Sequence, residues 1–233
     1  MANHRGLLAL CVLVCVPPFI QGCATAATGT LDYRPPEQSV ITNEATVDKR
    51  FEAVWSDLVR QLAKGYFVVN NIEKESRLIN VSFSTTNPED YIDCGVSNRV
   101  FSQGSTIVNT SYNVAGDSSY KYGGGIDSTG ANAIIHYVDR TTSLEGRINI
   151  YVAPDETMTD VSVNVRYILT IRISGRTNAE NASGVVMRSQ PIQEPALTPI
   201  SFNTNQPNKD AEGISCISKG VLENEILTMA LSP

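Results

Sequence analysis

Val161, Val163, Val165, Tyr167, Leu169, Ile171 and Ile173 occupy every second position without a miss. A period of two puts all seven side chains on one face of a strand. Ile148, Ile150 and Val152 alternate in the same way just upstream, and Pro154-Asp155-Glu156-Thr157 makes a turn between the two runs. The pair therefore predicts a long antiparallel hairpin with one buried face. Ile79, Val81 and Phe83 alternate with Asn80, Ser82 and Ser84, which predicts a half-buried strand. Tyr66 to Ile72 reads as the strand before it, across a charged turn from Glu73 to Arg77. Weaker strand character runs through Arg99 to Tyr112, Ala133 to Val138, and Ile200 with Phe202, and Val185 to Met187 suits an edge.

The period changes elsewhere. Val47, Phe51, Val54, Trp55, Leu58 and Leu62 recur every three or four residues, the signature of a helix with one apolar face. Thr46 is the expected N-cap, Asp48 the first-turn acid and Gly65 the stop. Trp55 lies on the apolar face and reads as a core residue rather than a binding anchor. Ile217, Val221, Leu222, Ile226 and Met229 predict a second helix with Cys216 near its start. Segregated helices and antiparallel strands mean an α+β fold. The expected form is a curved antiparallel β-sheet with an N-terminal and a C-terminal helix packed on one face. Residues 23–45, with Pro35-Pro36 and little periodicity, read as a flexible or extended tether. Residues 46–233 read as one α+β domain, interrupted at about 113–132 by a Gly/Ser-rich insertion expected to be a mobile loop.

The first 22 residues have a separate logic. His4 and Arg5 precede an uncharged apolar run from Gly6 to Val16, and Pro17-Pro18 ends it. The run is shorter than the ~20 residues that span a bilayer and suits a secretory signal. Ile20-Gln21-Gly22-Cys23 resembles the lipobox of bacterial lipoproteins: aliphatic, variable, small, Cys. That resemblance implies cleavage before Cys23 and acylation of its thiol and new amino group. Cleavage of a plain signal peptide at Ala24 or Ala27 is the alternative. Ala24, rather than Asp, after the lipid cysteine implies the outer membrane, with the folded part facing the periplasm or the cell surface.

The export reading sorts the cysteines. Of five, Cys11 and Cys15 leave with the signal and Cys23 takes lipid, so Cys94 and Cys216 remain as an even pair in an oxidising compartment. A Cys94–Cys216 disulfide is expected. The charge is acidic: 18 Lys and Arg against 24 Asp and Glu, net −6, and loss of Arg5 makes it more so. Without a basic run, the chain has no electrostatic footprint for nucleic acid or anionic lipid.

Catalytic patterns are sparse. His136 is the one histidine outside the signal and stands in an apolar run. Gly125 and Gly130 have the frame of a phosphate loop, but Ala131-Asn132 replaces its Lys-Ser/Thr. Glu89, Asp90 and Asp93 cluster near Cys94; a solvated loop is the expected reading, a calcium site or acid/base pair the alternative. No enzyme activity, cofactor or metal is expected. Tyr112, Tyr120 and Tyr122, in and beside the Gly-rich stretch, are the candidate partner contact, because tyrosine gives large amphipathic contact area at low entropic cost.

The stretch Val47 to Phe83 (an amphipathic helix with Val54-Trp55, then Gly65-Tyr66-Phe67-Val68-Val69, an acidic turn and a strand) resembles the helix-grip domains of BamC-type lipoproteins. Those are accessory parts of the outer-membrane barrel-assembly machine. Tyr91-Ile92-Asp93-Cys94-Gly95, with Cys216, Gly220 and Leu222-Glu223, resembles a loose group of proteobacterial lipoproteins. The resemblance implies a helix-grip-like fold and a scaffold or accessory role in a cell-envelope complex. Two other roles fit the same features: a lipid or small-molecule binding module, and a surface adhesin or secretion/conjugation component.

Overall fold

A computed structural model describes residues 25–192, 199–209 and 213–232. In chain order the elements are β1 (Thr28–Arg34), β2 (Glu44–Val47), α1 (Phe51–Lys64), β3 (Val68–Glu73), β4 (Leu78–Thr85), β5 (Ile92–Asp93), β6 (Val96–Gln103), β7 (Thr106–Asn113), β8 (Ser118–Ile126), β9 (Ala133–Asp155), β10 (Met158–Glu180), β11 (Val186–Pro191), β12 (Ile200–Asn203), β13 (Asn208–Lys209), β14 (Ser215–Ser218) and α2 (Val221–Leu231). Among the described residues every strand pairing is antiparallel and two α-helices accompany them, which is an α+β fold.

The expected hairpin is longer than its sequence signal. β9 and β10 each run 23 residues and pair from Asp155–Met158 to Ala133–Glu180 without a register shift. This ribbon is a spine with two halves. In the first, β4 flanks β9 and β3 flanks β4, while β2 and β12 pair along the outer edge of β10. In the second, β8 flanks β9 and β11 flanks β10.

The first half holds the main core. Val54, Leu58 and Leu62 of α1 and Leu222 and Ile226 of α2 share one cluster with Ile79, Val81, Ile148, Ile150, Val163 and Val165. Burying each such side chain contributes roughly 1.5–3 kcal/mol, and this cluster is the main source of stability. Trp55 is in it, as its place on the apolar face predicts. A smaller cluster of Ala27, Phe101, Ala133 and Ile135 holds the three-stranded sheet β1-β6-β7 against the far half. No helix among the described residues is long and apolar enough to cross a membrane.

Four expectations change. The segment 23–45 is not a free tether throughout: β1 pairs with β6 over seven residues, β2 pairs with β10, and Ala27 is fully buried. A strand, not a helix, is therefore the first described element. The Gly-rich stretch is not a loop either, because β8 pairs with β9 from Ser118–Arg140 to Ile126–Ala133. Its glycines mark close backbone approach. A Cβ on Gly123 would lie 2.2 Å from the Ala27 carbonyl carbon. Next to it, Ala27 and Gly125 exchange backbone hydrogen bonds of 3.4 and 2.8 Å that stitch β1 to β8. Thr46 and Asp48 are not the cap and first-turn acid of α1. Thr46 lies in β2 and donates to Asp160 Oδ1 (2.7 Å), the N-cap position is Arg50, and Glu52 is the first-turn acid. Finally, Cys216 and Ile217 belong to β14, and α2 starts at Val221 after the left-handed Gly220.

Candidate functional site

Cys23, the expected lipidation site, lies outside the described residues. The folded chain begins close behind it, since Ala27 is already in the second core. Four residues span at most about 14 Å.

Cys94 and Cys216 are bonded, with Sγ atoms 1.98 Å apart, and both are fully buried. The bond ties the loop after β5 to β14, which themselves pair through Asp93 and Ile217. The Tyr33 hydroxyl sits on this junction, with the Cys94 and Ser215 carbonyl oxygens 3.1 Å away and the Ser215 amide at 2.9 Å. Gly95 adopts a φ of +75°, and a Cβ there would lie 2.1 Å from the Arg34 carbonyl oxygen. Asp93 accepts the Gly95 N–H at 2.8 Å. The Asp-Cys-Gly run is thus the place where β1's end, the disulfide and β14 are locked together. Asp93 holds its own loop, and among the described residues no group of three or more His, Cys, Asp or Glu is placed to hold a metal ion.

The three tyrosines do not form one protruding surface. Tyr112 on β7 and Tyr120 on β8 stack in parallel, centroids 5.3 Å apart, and both are half-buried. The Arg99 guanidinium lies over the Tyr120 ring at 4.3 Å, and its Nε donates to the Tyr112 hydroxyl at 3.0 Å. Burial pushes the Tyr120 hydroxyl up to about 12, with the Arg99 charge opposing. Tyr122 turns to His136 instead, with ring centroids 4.4 Å apart. His136 Nδ1 is 2.8 Å from Thr177 Oγ1, and burial lowers its pKa.

Sequence reasoning missed Arg140 altogether and gave Glu223 no role beyond its place in a motif. Arg140 is buried in the inner face of β9 and donates to the carbonyl oxygens of Gly116 (2.6 Å) and Val114. Its polar partners lie on the backbone of the β7–β8 turn, so no side-chain pattern reveals them. Burial lowers its pKa, and the neighbouring Arg99 charge acts in the same direction. Glu223 of α2 is fully buried and accepts hydrogen bonds from Tyr167 (2.8 Å), Thr204 (2.7 Å) and Ser218. Burial, then the Glu223 charge, pushes the Tyr167 hydroxyl up. Three hydroxyls from β10, the turn after β12 and β14 converge on one carboxylate and pin α2 to the sheet.

Gly125 and Gly130 frame a turn organised by Asp127, whose Oδ1 accepts from the Thr129 hydroxyl (2.7 Å) and the Thr129 amide (3.2 Å). Hydrogen bonds from Asn132 and Thr129 hold its carboxyl well below the usual range. No protein-family model, curated protein or solved structure matches the chain.

Proposed function

We propose that this chain is a lipoprotein acylated at Cys23, held in the outer membrane by its N-terminal lipid and facing the periplasm. Its body has a helix-grip-like packing of α1 and α2 on one sheet face. It works by placement and contact, as a scaffold or accessory subunit of a cell-envelope complex, rather than by catalysis. The observation that carries this reading is Ile20-Gln21-Gly22-Cys23 at the end of an export-type apolar run. The buried Cys94–Cys216 bond supports it, because such bonds persist in oxidising compartments.

Two further features support a contact role. The space between the helices and the sheet is filled by side chains such as Leu58, Ile150 and Val163, none of them exposed. At the sheet edge, all six residues of β3 are exposed, Val68 and Ile72 among them. An open edge of that kind is a template for a partner strand. A chain acylated at Cys23 fractionates with membranes and incorporates labelled palmitate, and Cys23→Ala loses both. Unchanged fractionation and labelling in Cys23→Ala would refute the anchor.

A further inference from the structure

Between β1, the β6–β7 hairpin, β8 and the hairpin spine lies a cavity of about 180 Å³. Its lining mixes two chemistries. Leu31, Val114, Ile171 and Ile173 give it apolar surface. Arg99 and Arg140 line it too, directly cross-strand from Leu31 and Ile173 respectively, beside the stacked Tyr112 and Tyr120. In a chain with more acids than bases, these two cations sit together without a carboxylate in ion-pair reach among the described residues. The carboxylate that acts on Arg140 from nearby, Asp117, is engaged by the Thr142 amide (2.7 Å) and hydroxyl (3.0 Å). Arg140 is 5% exposed. A buried charge with no ion-pair partner is costly even with a carboxylate at longer range, and a like charge beside it adds to the cost. Directly across the strand pair from Arg140 is Ser118, whose buried hydroxyl oxygen has no hydrogen-bond partner.

From this arrangement we infer that the cavity binds a small amphipathic anion. The acid group meets the guanidiniums of Arg99 and Arg140, and a short apolar tail lies on Leu31, Ile171 and Ile173. Arginine is suited to both carboxylate and phosphate, which it can meet with paired N–H donors. The cavity is below the roughly 300–1,000 Å³ of drug-sized sites, so it takes one short chain and not a whole phospholipid. The site is distinct from the space between helices and sheet and does not depend on the lipid anchor.

The test is isothermal titration calorimetry of the purified full chain with octanoate and octyl phosphate below their micellar concentrations. Octanol (tail without charge) and acetate (charge without tail) are the controls. One octanoate or octyl phosphate binds per chain, the tighter of the two fixes the head group, and both controls bind at least about tenfold more weakly. Arg99→Met weakens binding by about tenfold or more, as loss of a charge-assisted contact requires. Ile173 is the cross-strand neighbour of Arg140. Ile173→Glu supplies a resident carboxylate and abolishes binding, while Ile173→Gln, of the same shape without the charge, loses part of the apolar contact and weakens binding without abolishing it. No saturable binding, octanol equal to octanoate, or Glu and Gln at position 173 behaving alike overturns the inference.

Discussion

The buried Glu223 carboxylate makes a sharp prediction. Tyr167→Phe removes one hydroxyl donor and leaves the ring, which stacks on Phe202 at 5.1 Å, in place. The lost bond is 2.8 Å long, and its acceptor is a carboxylate with no solvent to replace the donor. Hydrogen bonds to charged groups contribute about 1.5–3 kcal/mol, and Thr204 and Ser218 remain as donors, so the expected loss is about 2–3 kcal/mol. For a chain of this size that lowers Tm by about 4–12 °C. Glu223→Gln keeps the shape but removes the charge that made the tyrosine bond strong. After that change Tyr167→Phe costs much less, and the double-mutant cycle shows a favourable coupling of about 1–2 kcal/mol. Urea denaturation with the disulfide intact measures all four corners. A Tyr167→Phe loss under about 0.5 kcal/mol, or additive single changes, would contradict the hydroxyl-to-carboxylate anchoring of α2.

Three other outcomes follow from the same structure. The Cys94–Cys216 bond spans 122 positions, so Cys94→Ala/Cys216→Ala costs about 5 kcal/mol in the chain-entropy model, read by urea midpoint; a loss under about 1 kcal/mol speaks against the bond. His136 has its pKa lowered by burial from the ordinary 6.5, so its contribution to stability is complete above about 6.5 and drains away as pH falls through the lower, folded value. His136→Phe should therefore flatten the Tm–pH profile between about pH 7 and 5, and an unaltered slope refutes the assignment. Gly123→Ala forces a Cβ against the backbone of Ala27, so it should cost about 1–3 kcal/mol and raise hydrogen exchange in β1; a neutral change would mean that β1 does not cross there.

The sequence was most legible where one sheet face is dry and the other wet. From Val161 to Leu169 every other residue is buried, and the period of two reads directly. It fades farther along the spine, where Arg140 and Thr142 take inward positions and the β1-β6-β7 sheet covers part of the other face. β1 was hidden because Leu31 and Tyr33 are its one apolar pair and Leu31 is exposed, so pairing rather than burial creates the strand. β8 was hidden for the opposite reason. Its glycines looked like flexibility, whereas they are spacing for a crossing backbone at Ala27 and for the His136 ring, 2.6 Å from where a Gly124 Cβ would be. The cysteine pairing was legible by elimination. The Arg99–Tyr120–Tyr112–Arg140 cluster was not, since it joins four strands through contacts with no sequence spacing in common.

The proposed anchor makes Cys23 an acylated first residue, four positions ahead of the buried Ala27. Intact mass spectrometry of the chain extracted from membranes tests it most directly. The expected product is a mature polypeptide that begins at Cys23 and carries three acyl chains. A chain that begins at Ala24 or Ala27, or one that begins at Cys23 without lipid, would contradict it.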